Sequence, residues 1–571
     1  MSGYRRQAEI SLRLLRASPF WQQTLAVQEG LDDPTAAMIL DTAAAFAESE
    51  LAGLGPISDQ VACRVESGRV ITPEAYKPAW KALRDGGWIG LDLPQSAGGQ
   101  GLPLALQTAS QMLLDRPSLA FGMLAGSTRS GAFVLDAFAP ADIQAEWLPR
   151  LVTGEWSTTI CISEPDAGSD VGRIRTRAEQ VAGSWQITGQ KCWISYGDHD
   201  LTSRIGHLLL ARTAPVELGT RGLSLFLVPD STPTSRRNGI TVERIEEKLG
   251  LHGSPTCVLS FNGAEAILLG ELNRGLPQLF VMIERMRLLT AGMGSATAIA
   301  ALDVAEHYVV ERRQGGAPHQ PPVPIIDHAD VQRQIGRLAA RAWITHAFVL
   351  ELAAIMDRAE TATGGEKEDL QALAAWLLPI AKNFGAETGF DSASAAIQVL
   401  GGAGYTTEWP VERLLRDSRI LSIFEGTTAM QAMDLLYRRL WKEEGRGFKV
   451  FAGLLRQEAS TASEDVGAAA LQVLAQLEEI TLAFSEMQSD PRATDYATDA
   501  FFRATWAGIM AWIGLRLARF ATDPRDDLDR YLGAVGECGL HEAQAEIAAA
   551  AARIRGPGHA MQEIAALLKG R

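Results

Sequence analysis

The chain has 571 residues, 47% of them hydrophobic and 21% charged, with a formal net charge of −15. That balance fits a globular protein of about three or four domains and excludes a disordered or fibrous chain. The acidic excess argues against a dedicated nucleic-acid binder, whose footprint is basic, and no uninterrupted run approaches the roughly 20 apolar residues that cross a bilayer.

Residues 1–33 read as a helical extension. Arg5, Arg6, Arg13 and Arg16 are scattered among apolar residues, with no continuous apolar stretch or cleavage site of a secretory signal, so the spacing predicts an amphipathic helix. Residues 34–154 are predicted to form a helical domain, opened by Pro34-Thr35-Ala36-Ala37-Met38-Ile39-Leu40 and punctuated by the Gly-rich run Pro94 to Pro103. From 155 to 275 the pattern changes to short β-type runs. Examples are Trp185 to Thr188, Ser224 to Pro229 and Cys257 to Phe261, with turns expected at Ala182-Gly183-Ser184 and Asn262-Gly263. Residues 276–440 return to long Ala-rich helices, with a Pro-rich loop expected from Gly315 to Pro324. A further helical domain is expected over 441–571, with turns near Ser489–Asp495 and Asp523–Asp529.

The five cysteines are dispersed and form no CxxC pair, so a reducing cytoplasm is expected and a disulfide framework or metal site is not. None of the nine histidines belongs to an HExxH motif, and His252 in Leu251-His252-Gly253 reads as a turn residue.

Four stretches carry candidate chemistry. The first, Ile162-Ser163-Glu164-Pro165-Asp166-Ala167-Gly168-Ser169-Asp170, is a Pro turn with small hydroxyl residues, whose amides and hydroxyls can bind a ring edge or a phosphate; it also fits an ordinary acidic turn. In the second, Gly189 to Gly197, Trp193 and Ser195 lie two apart in a strand and so are expected on one face. They suit an aromatic wall with a polar contact, although a core Trp fits as well. The third, Ala301 to Gly315, is an amphipathic helix ending in Arg312-Arg313-Gln314. The fourth runs from Gln398 through Gly401-Gly402 and Arg416-Asp417 to Ile423-Phe424-Glu425-Gly426-Thr427-Thr428. Its Gly pair permits close backbone approach to a ligand. Its carboxylate, Glu425, stands after two large apolar residues at the lip of a helix N-terminus. Burial raises the pKa of such a group and the helix dipole lowers it, so it can be tuned to take a proton from a weak carbon acid; an exposed loop or cap residue is the plainer alternative.

In this order and spacing the four stretches resemble the acyl-CoA dehydrogenase family, over roughly Ala37 to Tyr437. The segment Lys248 to Cys257 and the extra C-terminal block are similar to a larger bacterial branch that contains methylthiopropionyl-CoA dehydrogenase-like enzymes. The resemblance implies a mainly α fold with a middle β-barrel, a C-terminal four-helix bundle, and here an additional C-terminal helical domain. It implies FAD-dependent conversion of an acyl-CoA to a trans-2-enoyl-CoA, with Glu425 as α-proton base, hydride transfer to flavin N5 and electrons passed to an electron-transfer flavoprotein. By the same resemblance Cys161, Ser163, Ser169, Trp193, Ser195, Arg312, Gln314, Gln398, Gly402 and Thr427 would contact FAD, and Ser169, Glu284, Arg287 and Gly426 the substrate. Arg312 and Gln398 would serve a neighbouring subunit's FAD, which implies a homodimer or larger oligomer.

There are departures from the family pattern. Some relatives carry the base on the helix of Glu284-Arg285-Met286-Arg287, where Arg285 or Met286 matches and neither takes a proton at neutral pH; a one-step shift would bring in Glu284. Ile160 stands where some relatives have an aromatic flavin contact, and Gly315, followed by the insertion Gly316–Pro324, where many have Phe. Two alternatives stay open: an acyl-CoA oxidase that uses oxygen, and a non-catalytic nucleic-acid-binding member. The second is opposed by the acidic cluster Asp523, Asp526, Asp527 and Asp529.

Overall fold

The arginine-bearing N-terminal segment folds as the expected helix, α1 (Gly3–Ala17), followed by α2 (Pro19–Val27), which opens on the N-cap Ser18 with Pro19 in its first turn. The structure, a computed structural model, describes residues 2–232, 237–489, 494–556 and 558–569. The expected turn at Ser489–Asp495 falls largely on residues 490–493, outside that set. The chain is mainly helical with one seven-stranded sheet in its middle, and it divides into two units. The first comprises residues 1–12, 29–293 and 416–419, the second residues 13–28, 294–415 and 420–571.

In the first unit, α3 (Asp33–Phe46) begins where the sequence indicates, with Asp32 accepting from the Thr35 N–H. One element was not anticipated in this helical stretch: a hairpin of β1 (Arg64–Glu66) and β2 (Arg69–Ile71). Its Ser67-Gly68 turn has both residues at positive φ, 50° and 76°, the handedness that matches a two-residue hairpin. Helix α6 (Leu104–Asp115) is buried on every side. Along it Gln107 Nε2 donates to Gln111 Oε1 (3.3 Å), and Gln111 Nε2 to Asp115 Oδ1 (2.7 Å).

Burial pushes the Asp115 carboxyl up to about 7, against the opposing effects of the Gln111 hydrogen bond and the Arg129 charge. The folded chain therefore holds a proton that the unfolded chain has released above about pH 4. This group's contribution to stability is greatest below that point and is lost as pH rises through about 7. Asp115→Asn, which keeps the shape without the ionisation, is expected to stabilise the protein by about 2–4 kcal/mol at pH 8 and by little at pH 4. Thermal melts of both proteins at the two pH values check this.

The sheet is a mostly antiparallel barrel. Strands β4 (Arg177–Val181), β5 (Ser184–Ser195), β9 (Thr256–Leu269), β7 (Leu223–Pro229) and β6 (Arg204–Arg212) pair in that sequence, and β6 returns to β4 through Arg177 and Arg212. Strand β3 (Trp156–Cys161) runs parallel to β6, and β8 (Ile240–Ile245) pairs with β9. Strand β7 is buried at every position and β6 at all but its end arginines, because the barrel core covers one face and helices the other. A Cβ at Gly206 would lie 2.6 Å from the Trp147 ring of α8 (Ala141–Val152), so glycine permits that helix to lie against β6. Ala182-Gly183 is the expected tight turn, with φ of 52° and 88°. Asn262-Gly263 is not a turn. Strand β9 runs through it with a register shift at Gly263 (φ 66°), a bulge that absorbs an extra residue without ending the strand.

In the second unit the residues from Gly294 onward of α9 (Gly275–Glu311) pack with α10 (Ala329–Thr361) and α11 (Gly364–Leu400). A Cβ at Gly294 would fall 2.0 Å from the Gly385 carbonyl oxygen, so small residues set that close approach. Helices α14 (Arg446–Ala459), α15 (Glu464–Glu486), Thr498–Ala518, Asp527–Ile554 and Gly558–Lys569 make up the C-terminal block. The turn expected at Asp523–Asp529 ends at Asp526, which caps the helix from Asp527, and Arg13 of α1 pairs with Asp526 (2.7 Å) and Asp529 (2.6 Å).

The expectation that nothing reaches membrane-spanning length is corrected. Gly275–Glu311, Ala329–Thr361 and Glu464–Ser489 are long and apolar enough by length and composition, with 89%, 94% and 33% of their apolar windows buried in the protein. Uninterrupted runs missed them because mean hydropathy tolerates a few charges in an Ala-, Leu- and Ile-rich helix, which serves equally as a core helix.

Candidate active site

The candidate residues fall into two groups, one in each unit. In the first unit, Glu164-Pro165-Asp166-Ala167 closes a turn through reciprocal backbone hydrogen bonds between Glu164 and Ala167 (3.1 and 3.0 Å). The turn is fastened from beneath. The buried Glu164 carboxylate accepts from Lys191 Nζ (2.8 Å) and from the amides of Arg175 (2.7 Å) and Thr176 (3.0 Å), and Lys191 Nζ also donates to the Ile162 carbonyl (2.8 Å). Burial alone would raise this carboxyl, but the Lys191 charge and those donors hold it below its ordinary range. The Cys192 amide donates to the Ser163 carbonyl (3.0 Å), so Ser163 lies against the strand that carries Trp193 and Ser195, while Ser169 stands exposed at the end of the turn.

Trp193 is not a core residue. It is 62% exposed and has φ of 62°, and it falls where the β5 register shifts between Lys191 and Ile194. The bulge breaks the strict alternation that the spacing implied, turning the indole outward while Ser195 is half-buried, its carbonyl accepting from Thr159 Oγ1 (2.6 Å). The Cys161 side chain is wholly buried in the barrel core, so a contact from this residue would come from its backbone. The reason is strand alternation, which points position 161 inward. Glu284 is exposed and Arg287 half-buried on α9. Of the alternative base positions between them, Met286 is buried, and Arg285 pairs with Asp92 (3.3 Å) and lies over the Phe133 ring. Arg416 and Asp417, which precede the Glu425 stretch in sequence, act as braces in this unit. Arg416 forks onto Asp59 (2.8 and 2.7 Å), and Asp417 accepts from the Leu251 amide (2.6 Å). His252 is a turn residue, its Nδ1 at 2.8 Å from Asp59 Oδ1.

In the second unit, helix α9 ends at Glu311, so the arginine pair lies just beyond it. The expected loop after it is partly ordered as a ladder: Arg313 bridges Pro324, the Gln314 amide donates to Val323, the Ile325 amide to the Arg312 carbonyl, and Gln314's carbonyl faces His328 Nε2 (2.9 Å). The side chains of Arg312 and Gln314 are exposed. Gln398 sits on α11 beside a groove of about 440 Å³ lined by Arg333, Arg337, Arg341 and Asp391. Glu542 of the C-terminal block reaches Arg337 (2.8 Å) and Arg341 (3.3 Å) there. Gly401 and Gly402 follow in a short helical turn with open space where a Cβ would be.

Glu425 is half-buried at φ 54°, two residues before Thr427, the N-cap of α13 (Thr428–Met433), which continues as a wider π-type turn to Lys442. The peptides around Glu425 are held by two buried side chains that the sequence did not single out. Lys382 Nζ donates to the carbonyls of Phe424 (2.6 Å) and Gly426 (2.7 Å), and Gln431 Nε2 to those of Glu425 (2.9 Å) and Gly426 (3.3 Å). Behind them Glu387, whose carboxyl is pushed up by burial, pairs with Arg503 of the C-terminal block (3.3 Å). The available signal was a lone lysine directly after the apolar run Leu377 to Ala381, since a charge there has to find partners.

Family models place three consecutive matches on the chain: the acyl-CoA dehydrogenase N-terminal domain over residues 33–155, the middle domain over 159–264 and the C-terminal domain over 273–440. The chain is similar to 3-methylmercaptopropionyl-CoA dehydrogenase of Ruegeria pomeroyi, 36% identical over 81% of each chain. It is also similar to the broad-specificity linear acyl-CoA dehydrogenase FadE5 of Mycobacterium tuberculosis, 33% identical over 68% of this chain and 66% of that one. Among solved structures, Caenorhabditis elegans ACDH-11 in complex with C11-CoA matches with a TM-score of 0.78 at 18% identity, covering 93% of this chain and 89% of that one. The consecutive domain matches and the identity over most of the chain's length together show that this chain belongs to the acyl-CoA dehydrogenase family, as an oxidoreductase of that family.

Proposed function

We propose that this chain dehydrogenates an acyl-CoA thioester between Cα and Cβ, giving a trans-2-enoyl-CoA, with Glu425 taking the α-proton. The observation that carries the reading is the Glu425 loop itself: a half-buried carboxylate at positive φ, ahead of a helix N-terminus, with its flanking carbonyls tied to buried donors. Strained backbone persists only where surrounding contacts over-determine it, and such sites are commonly functional.

The residues fit an FAD. Trp193 offers an exposed aromatic face, Ser163 and Ser169 lie in a turn anchored by a buried ion pair, and Gly401 and Gly402 leave their backbone open to approach. Ser163, Ser169, Trp193, Ser195, Gln314, Gly402 and Thr427 would contact FAD, with Arg312 and Gln398 serving a neighbouring subunit's FAD; Cys161 would contribute only its backbone. When bound, FAD supplies the hydride acceptor. Glu284, Arg287, Ser169 and Gly426 would bind the acyl-CoA. The exposure of Arg312, Gln398 and Gly402 fits a second subunit meeting this surface, so a homodimer is the smallest assembly of the working enzyme. The natural electron acceptor in this reading is an electron-transfer flavoprotein. The similarity to the Ruegeria enzyme favours a short acyl group, methylthio-substituted ones included.

The test is an anaerobic titration of the FAD-loaded protein with butanoyl-, octanoyl- and methylthiopropionyl-CoA. Bleaching of the flavin band by one or more of them is expected, and bound flavin that none of them reduces would refute the proposed substrate class. Reoxidation by oxygen as fast as by an electron-transfer flavoprotein would instead identify an oxidase. Light scattering after size-exclusion chromatography checks the dimer, and a monomeric active enzyme would refute it.

A further inference from the structure

We propose that Lys382 and Gln431 are positioning residues for Glu425: together they fix the two peptide planes on either side of its Cα and so aim its carboxylate. The inference rests on Glu425 being the base. The direction of a side chain is set by the φ and ψ of its own residue, that is, by the planes of the preceding and following peptides. The carbonyl of the preceding peptide belongs to Phe424, and it accepts from Lys382 Nζ at 2.6 Å. The carbonyl of the following peptide is Glu425's own, and it accepts from Gln431 Nε2 at 2.9 Å. Both donors then converge on the next carbonyl, that of Gly426, at 2.7 and 3.3 Å. Three consecutive carbonyls are thus held by two side chains, each 0% exposed, one from the middle of α11 and one from α13.

That arrangement has a reason in backbone energetics. Glu425 has φ of 54°, in the left-handed region that is strained for any L-residue with a side chain. Left alone, the peptide would relax by rotating the Phe424 or Glu425 carbonyl, and the carboxylate would swing with it. Hydrogen bonds from a buried ammonium are stronger than neutral ones, and a carbonyl that lost its donor in this interior would carry a desolvation cost. Gly426 completes the device. It has φ of 91°, and a Cβ there would lie 2.7 Å from Gln431 Nε2, displacing the donor that the Glu425 carbonyl uses.

A base aimed in this way acts on the rate of proton removal and leaves acyl-CoA binding nearly unchanged, and that separates positioning from general support of the fold. In the FAD-loaded protein, Lys382→Met and Gln431→Leu are each expected to slow flavin reduction at saturating acyl-CoA by roughly 10–100-fold, with KM within about twofold and the flavin still bound. Lys382→Arg, which keeps a cationic donor, should recover part of the rate. In a Glu425→Gln background the further substitution Lys382→Met should cost almost nothing, because it acts only through the residue already removed. Should Lys382→Met not fold, Gln431→Leu alone and combined with Glu425→Gln carries the same comparison. An unchanged saturating rate in the single variants, or full additivity in the double variant, would overturn the proposal while leaving Glu425 as the base. A fully active Glu425→Gln protein would instead remove the reading on which it rests.

Discussion

Glu425→Gln is expected to slow reduction of the bound flavin by acyl-CoA by about 10²–10⁴-fold, with flavin content and the melting temperature close to those of the parent protein. Gln keeps the size of the side chain and an acceptor oxygen but cannot take a proton, so it isolates basicity from shape. The size of the effect follows from what a positioned general base contributes. The melt should change little because Glu425 is half-buried at a loop, and the contacts that organise that loop are made by backbone carbonyls which the substitution leaves in place. Glu425→Asp retracts the carboxylate by one methylene and should fall between the two. Stopped-flow bleaching under anaerobic conditions measures all three proteins. A Gln variant that reduces its flavin at the parent rate would move the base elsewhere, and Glu284 would then be the carboxylate to examine next.

The second large effect concerns stability. Arg516, on the helix Thr498–Ala518, pairs with Glu351 of α10 (2.7 Å) and Glu458 of α14 (2.5 Å), with side-chain exposures of 9%, 2% and 15%. Trp512 Nε1 also donates to Glu458 (2.8 Å). Arg516→Met would leave two carboxylates in the interior without their shared cation, and breaking a buried pair from one side destabilises by about 3–5 kcal/mol. The pH dependence has a definite sign. Burial is the largest single influence on the Glu458 carboxyl and raises it, but the Arg516 charge, the hydrogen bonds from Arg516 and Trp512 and the Arg519 charge together outweigh burial, and the folded-state value is lowered. The parent protein therefore has this stabilisation in full above the unfolded carboxylate value near pH 4.5 and loses it as pH falls through the lower folded value. The difference between parent and variant should be largest near neutral pH and shrink in acid, where the stranded Glu458 carboxyl becomes neutral. Thermal or denaturant melts at pH 7.5 and pH 4.5 measure it. Equal differences at both values would show that lost packing, and not the stranded charges, accounts for the effect.

These contacts also bear on the residues after 441. They supply Arg516 to α10 and α14, Glu542 to the arginines of the groove beside Gln398, and Arg503 to Glu387 behind the Glu425 loop. The C-terminal block is thus built into the interior of the second unit through charged groups. The sequence indicated a helical block, but these contacts join residues 58 to 205 positions apart, and spacing carries no information at that range.

What the sequence determined by itself was local. The order of helices, strands and helices is legible because apolar periodicity and turn residues act within a few positions: Asp32 before α3, Ala182-Gly183 between β4 and β5, the small residues that follow Glu425. The motifs that carry the family resemblance are likewise contiguous stretches. The tertiary structure decided the rest, wherever a residue's role depends on what comes near it from elsewhere in the chain. Trp193 is turned outward by a bulge that exists only against β9, and Asn262-Gly263 is carried through a strand because both flanks pair with β5. Cys161 is withdrawn into the barrel by a pairing with β6 that periodicity alone cannot register. Lys382 reads as one lysine in an apolar helix until the fold brings three carbonyls from 42–44 residues further on within reach of it and Gln431. A buried ammonium has to be satisfied, and only the folded chain determines by what.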